Sequence, residues 1–178
     1  MKTSDITAIW ACLAFIVAAT AAHPEPPKVQ TPAPVIFLAD NLDEQAALGY
    51  CIDTIGRGLS DRLHTHSCKP QGGDVQYGFD PISGHIISPT YDNKCAALIS
   101  APAPGVKLAL LDCADVAEQA FEYDEDKLEF HPAGGVDLCL ATGSSSFPAG
   151  RFMKRDLLLA VCTETPERLR QWVVKEVE

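Results

Sequence analysis

The sequence has 178 residues, of which 47% are hydrophobic, so it is long enough for one domain with a sizeable core and too short for two full domains with a linker. Acidic residues outnumber basic residues by 24 to 14, which gives a formal net charge of −10. A surface of this sign repels phosphate backbones and anionic lipids, so we predict neither nucleic acid nor membrane as a partner.

The first residues have the pattern of a secretory signal peptide. Lys2 gives a positive start, a largely apolar and uncharged run extends from Ile6 to Ala22, and small residues crowd its end. The run is shorter than the ~20 residues that a membrane span needs, so an uncleaved anchor is the less favoured alternative. We therefore predict a signal peptide over residues 1–22 and a secreted or periplasmic protein.

Prolines dominate the segment that follows the predicted signal peptide. Because proline fixes φ and lacks an amide donor, residues 23–34 are predicted to form an extended Pro-rich linker. Val35 to Leu38 form a short β-prone apolar run directly afterwards. The folded domain is therefore expected to cover residues 35–178.

Six cysteines follow the predicted signal peptide, and their spacing is periodic. An even number of cysteines in an exported chain indicates disulfides. The interval from Cys51 to Cys95 is 44 residues, and the interval from Cys95 to Cys139 is again 44. The other three cysteines keep nearly the same phase, which indicates three units of about 44 residues. One local pair in each unit preserves this symmetry, so we predict Cys51–Cys68, Cys95–Cys113 and Cys139–Cys162.

Each unit repeats the same order of strand-length segments, which Gly, Pro, Asp and Ser separate. This pattern predicts an all-β fold. The third unit has no room for a fourth strand, and residues 35–39 are expected to supply it by pairing with the last strand. The predicted strands are 49–54, 63–68, 76–80 and 85–87 in the first unit, 94–99, 106–113, 119–124 and 127–130 in the second, and 137–142, 157–162 and 171–175 in the third.

The threefold pattern of short strands, the cysteine pair in each unit and a glutamine-x-aromatic element after the second cysteine together resemble the ricin B-type lectins. The resemblance covers about residues 35–178 and implies a β-trefoil whose three repeats each hold one disulfide. In that family one aromatic ring from each repeat packs in the core, and the matching residues are Tyr77, Phe121 and Trp172. The glutamine of the element is present only in the second repeat, as Gln119.

The resemblance implies a sugar site in the first repeat. Asp53 lies two residues after Cys51, as the acid of the family does, and Asp74 replaces an asparagine. His64 and His66 take the places of the amide and the stacking aromatic, and strand alternation directs both rings to one face. A carboxylate, a ring face and a second polar group are what a sugar pocket requires. The predicted ligand is therefore a glycan or small saccharide, bound by Asp53, His64, His66 and Asp74.

The other two repeats lack these groups. Alanine replaces the acid in both, and apolar residues replace the polar and stacking groups, so at most one site is expected and its affinity should be weak. Arg57 and Arg62 precede the second strand of the first repeat and are expected at the rim of the site. The replaced positions are Ala97, Ala109 and Leu111 in the second repeat and Ala141, Leu158 and Ala160 in the third.

A metal site and an enzyme are less favoured. His64 and His66 with Asp53 or Asp74 have the composition of a metal site, but histidines two residues apart are common without metal, so we predict no metal and no cofactor. Ser144 to Ser146 show no nucleophile-elbow pattern, and no acid pair or thiol is free for covalent chemistry. We therefore predict a protein without catalytic activity.

The main alternative to a lectin is a β-trefoil that binds no sugar and acts as an interaction or inhibitor-type protein. Such a protein is expected to use a rigid protruding loop. The best candidate for that loop is the segment 143–155, which contains Phe147, Arg151, Lys154 and Arg155. The sequence leaves open the identity of the sugar and the oligomeric state.

Overall fold

The all-β prediction is confirmed by a computed structural model, which describes residues 25–56, 58–134 and 137–177. The predicted signal peptide over residues 1–22 lies outside the described residues. No helix among the described residues has the length and apolarity needed to cross a membrane. The strands in chain order are β1 (Val35–Leu38), β2 (Tyr50–Thr54), β3 (Leu63–Ser67), β4 (Gly78–Asp80), β5 (His85–Ser88), β6 (Lys94–Leu98), β7 (Leu108–Asp112), β8 (Phe121–Asp124), β9 (Glu129–Pro132), β10 (Leu138–Thr142), β11 (Phe147–Ala149), β12 (Phe152–Arg155), β13 (Leu157–Val161) and β14 (Trp172–Lys175), with 3-10 helices at Ala117–Gln119, Cys162–Glu164 and Glu167–Leu169.

The described strands form four sheets. The largest has the order β11-β12-β3-β2-β1-β14, a second has the order β4-β5-β6-β7, and the pairs β8-β9 and β10-β13 form the other two. Strands β1 and β14 are antiparallel, with Val35 opposite Lys175 and Leu38 opposite Trp172. The predicted pairing between the beginning and the end of the folded chain is therefore confirmed.

The three predicted disulfide pairings are confirmed. Each bond joins the first strand of a hairpin to the residue that directly follows its second strand, so each one closes a local loop. The hairpins are β2-β3, β6-β7 and the pair β10-β13, whose connection contains β11 and β12. The bonds are Cys51–Cys68, Cys95–Cys113 and Cys139–Cys162, with sequence separations of 17, 18 and 23 residues.

Removing any one of these disulfides is expected to lower the free energy of unfolding by about 3 kcal/mol, because each bond restricts the unfolded chain by a loop of similar length. We expect the three paired-alanine variants to differ by only about 0.3 kcal/mol, since the entropic effect depends on the logarithm of loop length. Urea denaturation of each variant measures the change. A loss below about 1 kcal/mol for one pair would contradict the entropic account for that hairpin.

The three aromatic rings predicted for the core are buried in one cluster. Tyr77 and Trp172 have no exposed surface, and Phe121 is 2% exposed. The indole Nε1 of Trp172 donates a hydrogen bond to the carbonyl oxygen of Leu140 at 2.9 Å. Burial raises the pKa of the Tyr77 hydroxyl well above its usual value. These residues therefore contribute to packing, as expected from the resemblance.

The described part of the Pro-rich segment lies along the folded body. The Lys28 amide donates to the carbonyl of Ala47 at 2.7 Å, and the Thr31 hydroxyl donates to the carbonyl of Lys69 at 2.9 Å. The Gln76 side chain donates to the carbonyls of Pro32 and Ala33, both at 3.2 Å. Proline lacks an amide donor but keeps its carbonyl acceptor, so the segment is held both by its own non-proline donors and by the Gln76 donor of the body.

The segment 143–155, which is the candidate loop of the alternative function, contains a β-hairpin. Its second half forms the hairpin β11-β12, and β12 pairs with β3 so that Lys154 lies opposite His66. The guanidinium of Arg155 is buried and lies 5.0 Å from the ring centre of Tyr50. Serine, proline and glycine in this segment predict a loop. The strand β12 was not predicted, because its pairing partner β3 lies far away in the sequence.

Candidate functional site

Three neighbouring strands of the six-stranded sheet direct polar and aromatic side chains to one face. Asp53 on β2 lies opposite His64 on β3, and His66 on β3 lies opposite Lys154 on β12. Side chains directly opposite each other share a face, as do residues two positions apart on one strand. Asp53, His64, His66, Lys154 and Phe152 therefore share one face, while the alternate residues of β2 point into the core.

This face borders a concave space of about 800 Å³, which we call the histidine cleft. The volume lies within the range of about 300–1,000 Å³ that is typical of small-molecule sites. Strands β3 and β12 with the β11-β12 turn supply one part of the lining, and the segments that follow β2 and β3 supply the rest. The side chains that define the histidine cleft are His64, His66, Lys69, Asp74, Arg151, Phe152 and Lys154.

A buried ion pair supports the cleft. The Lys69 ammonium lies 2.9 Å from Oδ2 of Asp53 and 2.9 Å from Oδ1 of Asp74. Burial by itself would lower the pKa of Lys69, but hydrogen bonds and charge from both carboxylates outweigh it and raise the pKa. Asp53 has no exposed surface, and its Oδ1 has no hydrogen-bond partner among the described residues. Asp53 therefore lies behind the lining and orients Lys69, which differs from the expected direct contact with a ligand.

The two histidines and a phenylalanine form a row of rings. The His64 and His66 ring centres are 5.5 Å apart, and the Phe152 ring lies 5.4 Å from that of His66 in an edge-to-face arrangement. Nδ1 of His66 lies 3.0 Å from the carbonyl oxygen of Ser67. Because a carbonyl only accepts, Nδ1 carries the hydrogen and Nε2 of the neutral ring is an acceptor. The row thus combines an apolar ring face with a hydrogen-bond acceptor.

Hydrogen bonds attach the β12 side of the cleft to β3. The Met153 amide donates to the Ser67 hydroxyl at 2.9 Å, and this hydroxyl donates to Oε1 of Glu44 at 2.8 Å. Glu44 is buried and also accepts the amides of Ala46 and Leu48. A carboxylate with three donors is a satisfied buried charge, so it fixes the position of the hairpin relative to the histidines.

The titration of His66 predicts a pH dependence of stability. Burial lowers the pKa of His66, and the opposing effects of the Ser67 carbonyl and Asp53 only reduce this shift. The unfolded chain therefore binds the proton more readily than the folded chain, so stability is full above the unfolded pKa of about 6.5 and falls as the pH drops below it. The melting temperature of His66→Gln should fall less than that of the wild type between about pH 8 and about pH 5. His85→Gln is the control for removing one imidazole outside the cleft, and an equal fall in both variants would contradict the assignment to His66.

The structure brings three of the four predicted site residues into the cleft lining and the fourth directly behind it. Sequence reasoning missed Lys69, although its place directly after Cys68 puts a cation close to the predicted acids. It also missed Phe152 as the ring beside His66, because the two lie 86 positions apart in the sequence. Of the two arginines expected at the rim, Arg57 lies outside the described residues, and Arg62 is exposed and absent from the cleft lining.

Neither acidic cluster of the described residues fits a metal ion. In the histidine cleft the Lys69 ammonium binds both carboxylates and repels a cation. A second cluster brings ligand-type atoms of four residues within 4.8 Å of one another, but its two sulfurs form a disulfide, which is not the thiolate that zinc binds. Its members are Glu129, His131, Cys139 and Cys162, and Arg170 forms an ion pair with Glu129.

A second cleft of about 540 Å³ lies beside Glu129, His131 and Arg170. Its described lining contains no phenylalanine, tyrosine or tryptophan. A sugar pocket needs an aromatic face for the apolar side of the ring, so the histidine cleft has the more suitable chemistry.

Comparison with known proteins indicates a fold and leaves the function open. No protein-family model and no curated protein matches the chain. Among solved structures 35 chains match. One is described as the solution structure of the mdaA-1 domain, with 17% identity and a TM-score of 0.60, and the match covers 87% of this chain and 96% of that one. At this identity the similarity concerns the fold alone.

Proposed function

We propose that this chain is an exported carbohydrate-binding module of the ricin B type, with one sugar site in the histidine cleft. The observation that carries the proposal is the convergence of His64, His66 and Asp74 on one cleft, with Asp53 directly behind it. The resemblance to the ricin B-type lectins assigns these four residues to one sugar site. Their assembly around a cavity of suitable size supports a shared role in binding.

The proposal includes a β-trefoil architecture. Three disulfide-closed hairpins, three buried aromatic rings in one core cluster, and the pairing of the first strand with the last strand support it. The similarity to a solved structure supports the all-β fold without indicating its ligand. The three disulfides also fit an oxidising compartment, which supports export.

The aromatic side chain required for sugar stacking is Phe152 in this proposal. The apolar face of a hexose packs on the Phe152 ring, while Asp74, Lys69 and Nε2 of His66 hydrogen-bond to the hydroxyls. Asp53 acts behind them by orienting Lys69. Both carboxylates are bound to one ammonium, so neither is free as the acid or nucleophile of a glycosidase, and the proposed role is binding without catalysis.

The other two repeats support a single site. Ala97 and Ala141 are buried at the positions of the acid, and Ala109 is buried at the position of the amide. None of these side chains can accept a hydrogen bond from a sugar hydroxyl. One shallow site of this kind predicts a Kd for a monosaccharide of about 1 mM, and stronger binding would require several copies.

Binding to a glycan array followed by isothermal titration tests the proposed function. We expect at least one sugar to bind, and we expect Phe152→Ala to weaken its binding about tenfold, because the ring loses its stacking contact. The matched control is Phe147→Ala, which removes a 51% exposed ring from the other strand of the same hairpin and should leave the Kd unchanged.

The alternative is a β-trefoil that binds a protein and no sugar. The arrays decide between the two functions, because this alternative predicts no response to any glycan. The pairing of β12 with β3 favours the lectin, because it places part of the segment 143–155 in the lining of the histidine cleft.

A further inference from the structure

We infer that the histidine cleft prefers saccharides that carry a negatively charged group, a carboxylate or a sulfate, which contacts Arg151 and Lys154. This inference rests on the proposed function and specifies the class of sugar. Its basis is the distribution of charge between the two sides of the cleft.

The cleft is locally basic in an acidic protein. The whole chain carries a net charge of −10. The cleft contains three basic side chains, Lys69, Arg151 and Lys154, against the carboxylates of Asp74 in the lining and Asp53 behind it. The local excess of positive charge is therefore opposite in sign to the charge of the whole molecule, and it attracts an anion into the cleft.

The two sides of the cleft differ in how their charges are paired. On the side of the loop after β3, Lys69 is held between two carboxylates at 2.9 Å each. On the hairpin side, Arg151 and Lys154 form no ion pair with any carboxylate among the described residues, unlike Arg155 in the same strand, which pairs with Asp43. The first side therefore offers hydrogen bonds to hydroxyls, and the second offers two unneutralised cations.

The position of the two cations suits a charged group attached to a stacked sugar ring. The Arg151 guanidinium lies over the Phe152 ring, 4.7 Å from its centre. Lys154 lies two residues further along β12, on the same face as Phe152 and opposite His66. A hexose that stacks on this face of the Phe152 ring displaces the guanidinium to the side of the sugar, so that Arg151 and Lys154 both lie beside it. Arginine binds a carboxylate or sulfate through two parallel hydrogen bonds, and lysine adds a mobile charge.

The expected preference is moderate, because both cations reach the solvent. Arg151 is exposed and Lys154 is half-buried, and exposed ion pairs contribute little each. Two such contacts correspond to about tenfold tighter binding of the anionic sugar than of its neutral counterpart. Salt screens exposed charges, so the preference should decrease at about 1 M salt.

Isothermal titration of the disulfide-intact protein with matched sugars tests the inference. The probes are the methyl glycosides of galactose and glucose, the corresponding uronic acids and the corresponding 6-sulfates. We expect at least one uronic acid or sulfate to bind about tenfold more tightly than its neutral sugar. The double variant Arg151→Gln, Lys154→Gln should reduce the ratio of the two Kd values towards one. A preference for the carboxylate alone, for the sulfate alone or for both supports the inference and identifies the anion.

A control with the same change in total charge separates local contact from a general effect. Lys107→Gln, Lys127→Gln removes two cations outside the histidine cleft, and the ratio of the Kd values should remain as in the wild type. Equal binding of neutral and anionic sugars would overturn the inference and leave the proposed function standing. Binding of none of these sugars, together with a glycan array without any response, would overturn both.

Discussion

Replacing Lys69 by methionine is expected to lower the free energy of unfolding by about 4 kcal/mol. The Asp53 carboxylate has no exposed surface, and the Lys69 ammonium at 2.9 Å is, among the described residues, its only cationic partner within ion-pair distance other than the two histidines. Removing one partner of a buried pair leaves an uncompensated charge in a medium of low polarity, which typically costs about 3–5 kcal/mol. Urea denaturation at neutral pH measures the loss.

Replacing Asp53, the partner of Lys69, should lower the free energy of unfolding less than replacing Lys69 does. Asp53→Asn removes the buried charge itself, and Lys69 keeps Asp74 as a partner. We therefore expect Asp53→Asn to cost less than Lys69→Met, and the double variant to recover part of the loss.

Lys94→Met is the matched control for this experiment. The Lys94–Asp112 pair has a similar distance of 2.8 Å, but the Asp112 side chain is 77% exposed. Its loss should change stability by only about 0.5 kcal/mol. Equal losses for Lys69→Met and Lys94→Met would show that Asp53 is not held as a buried charge.

Replacing Trp172 by alanine is expected to lower the free energy of unfolding by about 4 kcal/mol, through the loss of the largest fully buried side chain of the described core. Trp172 begins β14, and β14 lies at the edge of the six-stranded sheet beside β1. A cavity at this position therefore weakens the packing beneath the strands that join the two ends of the folded chain.

Trp172→Phe separates packing from hydrogen bonding. Phenylalanine keeps much of the volume but leaves the Leu140 carbonyl without its indole donor, so we expect a loss of about 2 kcal/mol. Phe147→Ala, at an exposed ring, is the control and should change stability by about 0.5 kcal/mol or less. A loss below about 1 kcal/mol for Trp172→Ala would contradict the central role of this ring.

Much of the fold could be predicted from the sequence because its signals are local or periodic. The spacing of Cys51, Cys95 and Cys139 indicated the three hairpins, and each disulfide closes within one of them. Alternating apolar residues indicated short strands. The resemblance to the ricin B-type lectins implied which aromatic rings lie in the core. The hairpin β11-β12 was missed, because serine, proline and glycine predict a loop and this local signal does not include the tertiary pairing of β12 with β3.

The candidate site was only partly predictable for the same reason. Asp53, His64 and His66 lie close to the first disulfide in sequence, so their shared face follows from strand alternation. Phe152, Arg151 and Lys154 reach the cleft only because β12 pairs with β3, and no local pattern encodes a pairing between distant strands. The Pro-rich segment shows the same limit, since its carbonyls are held by donors such as Gln76.

The sequence by itself therefore determined the all-β class and the disulfide pairs, because these depend on spacing and on the alternation of side chains along single strands, and its resemblance to a known family indicated the buried aromatic rings. Only the tertiary structure decided that Asp53 lies behind Lys69, and that a phenyl ring and two cations without a carboxylate partner among the described residues line the cleft with the histidines. The physical reason is that burial and charge pairing depend on which strands become neighbours. Strands that are distant in sequence become neighbours through the hydrogen bonds that form between them when the chain folds.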